Sequence, residues 1–270
     1  LSDELSDALF GRFAKFLFQK TGISLKDYKK YLVINRLSSL VGPDKSYPTF
    51  EDFYDALTSD LDGRLTQDFI NVLTTNFSYF FRDPIHFSVM EQYLQALGSQ
   101  QDYLRFWSAA SSTGEEAYSM AIVLTKCSAS LPANRRILAS DISTKVLTLA
   151  ERGVYNAEGV EKYVTPEDRL RFFSHPEPSK YAVKPDLKVG VDFRQFNLLS
   201  TFPFQKKMDI VFLRNVLIYM GPEERLDVVE RIYAQLKPGG LLLIGLSESL
   251  AGLRHRFKMH RGSVFQKTSR

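Results

Sequence analysis

The sequence predicts an α/β chain in two parts: an all-α N-terminal domain over residues 1–70, then a parallel-stranded domain over 71–270 with a small antiparallel insert at 156–193. Three observations predict it. Up to about residue 70, apolar residues recur at three- and four-residue steps, as on one face of a helix. From 104 onward, short apolar runs alternate with helical patterns, the order that builds a parallel sheet from βαβ units. Between 156 and 193 that alternation gives way to charges, Pro166, Pro176, Pro178 and Pro185, and short apolar alternations such as Tyr181-Ala182-Val183.

Leu9, Phe10, Phe13, Phe16 and Leu17 share one helical face. After the turn Thr21-Gly22, Ser24 is read as the N-cap of a second helix that buries Tyr31, Ile34, Leu37 and Leu40 and stops at Gly42-Pro43. A third helix starts near Thr49 and a fourth covers 65–73. The stretch from Thr74 to Pro84 holds Phe77, Tyr79, Phe80 and Phe81 beside Asn76, Ser78 and Arg82. A solvated linker has no use for four aromatic rings, so they are expected to pack on the second domain.

A helix over 86–97 precedes the central βαβ unit. There Leu104, Phe106 and Trp107 form a strand, residues 108–116 a turn of small residues, and Ile137-Leu138-Ala139 a second strand ending at Asp141. A helix with Val146, Leu149 and Ala150 on its buried side follows, then the insert with a helix near 166–173. Val191-Asp192-Phe193-Arg194 and Met208-Asp209-Ile210-Val211-Phe212-Leu213 are further strands, the latter ending at Arg214-Asn215. Residues 222–236 read as a helix, Lys237-Pro238-Gly239-Gly240 as a turn into a strand over 241–246, and 263–267 as a final edge strand.

Composition excludes several classes. The longest apolar runs, such as Leu241-Leu242-Leu243-Ile244, are too short to span a bilayer, and no basic-then-apolar segment opens the chain. The single cysteine, Cys127, has no internal disulfide partner and no metal-ligand neighbours in sequence. A cytoplasmic protein without a metal is expected. The net charge of +4 is mild but uneven. Basic residues dominate from Arg12 to Lys45 and acidic ones from Glu51 to Asp68, a pattern that fits either an acidic partner or a solvated helix face.

The turn after the first strand locates a ligand. In a βαβ unit small residues let backbone approach a bound nucleotide, and an acid at the end of the second strand grips ribose hydroxyls. Here Ala109 and Ala110 stand where a pyrophosphate cradle wants glycines, leaving only Gly114. That argues for a cofactor with adenosine but no phosphate, S-adenosylmethionine.

Five segments, in order over nearly the whole chain, resemble one family. They are Thr74-Thr75-Asn76-Phe77 through Phe80-Phe81-Arg82, Trp107-Ser108-Ala109 through Gly114-Glu115-Glu116, Ala139-Ser140-Asp141-Ile142, Phe212 through Arg214-Asn215-Val216 to Ile218-Tyr219, and Leu236-Lys237-Pro238-Gly239-Gly240 through Ser247-Glu248-Ser249. The chain resembles the chemoreceptor glutamate methyltransferases of the CheR type. The resemblance implies a Rossmann-like class I methyltransferase sheet that uses S-adenosylmethionine, yields S-adenosylhomocysteine, and esterifies glutamates on the cytoplasmic helical domain of bacterial chemoreceptors. Carried over residue by residue, it places Asn76, Ser78, Arg82, Glu116, Asp141, Asn197, Leu198, Arg214 and Asn215 around the cofactor. Ser78 departs from the family's threonine but keeps the hydroxyl. It also implies a receptor-binding role for Lys29, Lys30 and Arg36. The insert lacks the family's glycine-containing loop between Phe172 and Tyr181, so independence from a receptor tether is expected, as is a monomer.

Arg82 and Tyr219 are the expected catalytic pair. Arg82 suits a forked pair with the cofactor's carboxylate or the substrate's, and Tyr219 an incoming carboxylate oriented through its phenol. A glutamate is already ionised at neutral pH, so no general base is required. The competing readings are a helix N-cap for Asp141, a surface ion pair for Arg82 and a core ring for Tyr219. At the level of function, the competitors are a small-molecule methyltransferase and a signalling module that has lost catalysis. Nucleic-acid methylation calls for a stronger positive field.

Overall fold

The structure, a computed structural model, describes residues 5–97 and 101–268. Its first part is helical: α1 (Asp7–Thr21), α2 (Lys30–Leu37), α3 (Phe50–Thr58) and α4 (Arg64–Leu73). Ser6 caps α1 through a bond from the Leu9 N–H, and Thr49 and Asp52 form a reciprocal capping box on α3. The rings of Phe13, Phe53 and Phe69 meet in the core, with centroids 5.6 to 6.1 Å apart.

The second helix differs from expectation. Ser24 does not cap it; its backbone N–H donates to the Tyr219 carbonyl at 2.8 Å, which holds this segment extended against the second domain. A 3-10 turn at Asp27–Lys29 then rotates the helix so that Val33 and Leu37 are buried and Tyr31 is 64% exposed. The helix ends at Leu37, ahead of Gly42-Pro43.

The linker only partly packs as expected. Phe80 is buried, its ring edge-on to Tyr155 and Phe173, and Phe81 meets Phe87, while Phe77 is 71% exposed. Positive φ angles at Phe81 and Asp83 turn the chain sharply here, so neighbouring rings point in different directions.

The rest comprises α5 (Pro84–Leu97), β1 (Leu104–Ser108), α6 (Glu115–Lys126), β2 (Arg135–Asp141), α7 (Thr144–Arg152), β3 (Val154–Asn156), α8 (Ala157–Tyr163), α9 (Pro166–Phe172), β4 (Phe173–Glu177), β5 (Lys180–Val183), α10 (Pro185–Lys188), β6 (Val191–Gln195), β7 (Met208–Leu213), α11 (Pro222–Gln235), β8 (Leu236–Ile244), β9 (Lys258–Arg261) and β10 (Val264–Gln266). Seven strands form one sheet in the order β6-β2-β1-β7-β8-β10-β9, and β3-β5-β4 form a small antiparallel sheet. β1 pairs in parallel with β2 on one side and β7 on the other. Strand order therefore reverses at β1, and a crevice opens beyond the carboxyl ends of these three strands.

Both faces of the sheet are covered. Phe106 and Phe212 pack with α5 and α6, while Trp107 and Val211 point the other way, toward α11. Trp107 satisfies its indole N–H on the Ser140 hydroxyl at 2.8 Å.

Four local expectations are corrected. Leu149 is 42% exposed and Leu147 takes the buried position on α7. The Lys-Pro-Gly-Gly segment lies within β8, where a bulge offsets its register with β7, and the strand ends at Ile244 with Leu246 exposed. β10 is not the edge, because β9 pairs outside it. The antiparallel insert begins at Val154. Among the described residues no helix is long and apolar enough to cross a membrane, and no group of three or more His, Cys, Asp or Glu could hold a metal ion.

Candidate functional site

The crevice beyond β1, β2 and β7 is a cleft of about 1150 Å³ measured out to its open mouth. At its floor the turn after β1 is tied down by Ala109 N–H to Phe212 O (2.8 Å) and Ser111 N–H to Ser140 O (2.9 Å). Ser112, at φ 49°, then directs its N–H onto the Asp141 carboxylate at 2.9 Å. The other Asp141 oxygen accepts the Ser143 N–H at 3.0 Å. Ser143, not Asp141, occupies the N-cap position of α7. Asp141 is 8% exposed, and burial raises its carboxyl pKa against the lowering effect of the backbone bonds. The carboxylate retains acceptor capacity for a further donor.

Gly114 opens α6 at φ 93°, and a Cβ there would lie 2.8 Å from the Ala150 Cβ, so the close approach of α6 to α7 requires glycine. The first turn of α6 carries Glu115 and Glu116. Two acids at a helix N-terminus oppose a phosphate and leave the site better suited to a phosphate-free adenosine cofactor.

Arg214, at the end of β7, organises the opposite wall. Its side chain is 2% exposed and pairs with Glu116 and Asp83, each at 2.8 Å, and with the Arg82 carbonyl. The second Glu116 oxygen accepts the Ser108 hydroxyl at 2.6 Å. Burial works against the charged form of Asp83, but the hydrogen bond and charge of Arg214 outweigh it and leave the pKa lowered. Arg214 Nε is buried with no partner among the described residues. The guanidinium lies over the rings of Phe87 and Phe212, 6.0 and 5.9 Å from their centres.

Asn215 follows at φ 57°, and its N–H donates to Glu248 at 2.7 Å. The same carboxylate accepts Gly245 N–H at 2.7 Å and Ile218 N–H at 3.3 Å. Burial raises the Glu248 pKa while these bonds oppose the rise. A Cβ on Gly245 would lie 2.7 Å from Asn215 Nδ2. Sequence reasoning gave Glu248 no role, although an acid just beyond a buried strand was a usable signal.

The helical domain completes the cleft with Thr21, Ile23, Leu25 and Lys29. The Lys29 ammonium stands 5.5 Å from the centre of the Tyr219 ring, and Tyr219 is half-buried at the cleft. Arg82 donates from Nη1 to the Phe77 carbonyl at 3.0 Å and makes no ion pair among the described residues. Asn197 joins the domains, donating to Lys20 O at 2.7 Å.

All nine residues expected around a cofactor, Asn76, Ser78, Arg82, Glu116, Asp141, Asn197, Leu198, Arg214 and Asn215, line this one cleft, together with Tyr219. The three basic residues separate. Lys29 borders the cleft, and Lys30 pairs with Asp7 at 2.6 Å on the surface. Arg36 donates to Leu73 O (2.6 Å), Thr74 O (3.1 Å) and the Thr75 hydroxyl (3.1 Å). Its planar fork satisfies carbonyls orphaned at the end of α4, which makes it a clasp on the linker.

Residues 8–74 match the family model described as "CheR methyltransferase, all-alpha domain", and residues 76–265 match "CheR methyltransferase, SAM binding domain". Similar curated proteins include "Chemotaxis protein methyltransferase" of Vibrio anguillarum, 35% identical over 261 residues, covering 95% of this chain and 94% of that one. "Chemotaxis protein methyltransferase 1" of Vibrio cholerae is 36% identical, covering 95% and 94%. "Chemotaxis protein methyltransferase" of Escherichia coli is 35% identical, covering 97% and 91%.

Proposed function

Because this chain belongs to the CheR methyltransferase family, we propose that it esterifies glutamate side chains on the cytoplasmic helical domain of chemoreceptors, acting as a monomer in the cytoplasm. It is an S-adenosylmethionine-dependent methyltransferase of chemotaxis signalling. The observation that carries the finer reading is the convergence of the nine expected residues and Tyr219 on one cleft at the strand-order reversal.

When bound, S-adenosylmethionine supplies a methyl group on a cationic sulfur, and its transfer to a carboxylate leaves both partners neutral. The chain's contribution is positioning and exclusion of water. Asp141 accepts hydrogen bonds from the ribose hydroxyls. Leu198 and Ala109, both buried, give the cleft apolar walls. Arg82, free of any carboxylate of its own among the described residues, draws a carboxylate to the reacting face. Tyr219 orients the acceptor with its phenol, and Lys29 beside it adds positive charge on the side where an anion enters. The helical domain recognises the receptor through Lys29 and Lys30. The strands of the insert meet at a short Pro178-Ser179 turn without glycine, which supports action without a receptor tether.

The test supplies labelled S-adenosylmethionine and membranes containing chemoreceptors. Mild base should release the incorporated label as methanol, marking an ester; base-stable label would overturn the acceptor assignment. In the same assay, reversing Lys29 and Lys30 to Glu should reduce incorporation and its salt sensitivity. Loss of S-adenosylhomocysteine affinity in that variant would remove the docking role. Tyr219→Phe should lower kcat by about tenfold or more while changing S-adenosylhomocysteine affinity little. An unaltered rate would return Tyr219 to core packing.

A further inference from the structure

We propose that Tyr79 and Tyr163 are positioning residues for Arg82, through which helix α8 of the insert holds the guanidinium at the cleft. The proposal rests on the reading that Arg82 meets a reacting carboxylate.

Tyr163 is the last residue of α8, and its ring stacks on Tyr79 with centroids 4.3 Å apart and planes at 27°. The Arg82 guanidinium carbon lies 5.7 Å from the Tyr79 ring centre and 5.8 Å from that of Phe77, both within cation–π reach. Those two rings are themselves 5.8 Å apart. A continuous ladder thus runs from the insert to the arginine.

This ladder matters because little else holds Arg82 at its tip. The guanidinium has one hydrogen bond, to the Phe77 carbonyl, and no ion pair among the described residues. Tyr79 also lines a second cavity, with Ser78, Tyr155 and Gly159 among others, so the packing around it is incomplete. The linker backbone around it is anchored, with Phe80 wedged against Tyr155 and Phe173 and the Phe81 N–H on the Ser119 hydroxyl at 2.9 Å. What stays adjustable is the Tyr79 side chain, and Tyr163 restricts it. Neither phenol makes a hydrogen bond among the described residues, so the rings and not the hydroxyls carry the contact.

The experiment is a double-mutant cycle on the full chain, read by methylation kinetics on receptor membranes, with S-adenosylhomocysteine calorimetry and thermal melting of each variant. Tyr163→Ala should lower kcat/KM about three- to tenfold, the contribution of one aromatic pair, and Tyr163→Phe should restore it. In an Arg82→Ala background Tyr163→Ala should add less than about twofold, because the group it positions is gone. An equal loss in both backgrounds would show a general structural effect and overturn the proposal. So would an unchanged rate in Tyr163→Ala beside a large loss in Arg82→Ala. An unchanged rate in Arg82→Ala alone would overturn the role of Arg82 and the proposal with it. If Tyr163→Ala melts below the assay temperature, Tyr163→Leu serves in the same cycle with the same outcomes.

Discussion

Asp141→Ala is expected to weaken S-adenosylhomocysteine binding by on the order of a hundredfold or more in calorimetry. Two hydrogen bonds from ribose hydroxyls to an ionised carboxylate are worth about 1.5–3 kcal/mol each. The substitution also strips the Ser112 and Ser143 N–H groups of their acceptor, loosening the turn that forms the cleft floor. Protonation should mimic the mutation. Burial holds the Asp141 pKa above its ordinary value, so affinity should begin to fall, as pH drops, before an ordinary aspartate near about 3.9 would titrate. Asp141→Asn should abolish that part of the pH dependence. For the ligand-free protein the sign is opposite: a folded pKa above the unfolded one gives stability present in acid and lost as pH rises through the folded value. Unchanged affinity in Asp141→Ala would end the ribose assignment.

Arg214→Met should cost about 3–5 kcal/mol in urea unfolding, because it leaves the carboxylates of Asp83 and Glu116 poorly solvated and without their cation. Their side chains are 17% and 12% exposed, too little for water to take over. The loss should depend on pH in a defined direction. Asp83 has a lowered folded pKa, so its contribution is present above the unfolded value, near about 3.9, and disappears as pH falls through the folded value. Wild type and variant should therefore converge in acid. Adding Asp83→Asn and Glu116→Gln to Arg214→Met should recover part of the stability but no activity, since the carbonyl of Arg82 loses its clasp as well. A variant as stable as wild type at neutral pH would show that the network is not what holds this wall.

The same network shows where reading along the chain runs out. Arg214 and Glu116 were both expected at a cofactor, and both line the cleft, yet their charged groups are spent largely on each other, on Asp83 and on Ser108. Glu248 shows the reverse case, a residue with no assigned chemistry that receives three backbone N–H groups and fixes the turn at Asn215. β9 escaped detection because Lys-Met-His-Arg is exposed throughout and has no alternation to read. Arg36 was expected to meet the receptor, but the fold brings the end of α4 beside it and its guanidinium bonds to that backbone.

By itself the sequence determined the helical start, the order of the parallel strands' apolar runs, the position of Asp141 at a strand end and the glycine-poor turn before Gly114. Each of these is written within a few neighbouring residues, where periodicity, side-chain size and turn chemistry act directly. The tertiary structure alone decided the rotation of α2, the burial of Arg214 between two acids, the seat of Glu248 under Asn215 and the stack of Tyr163 on Tyr79. Those depend on partners between 30 and 195 positions away along the chain, which meet only when the sheet closes and brings its carboxyl ends, the helical domain and the insert around one cleft.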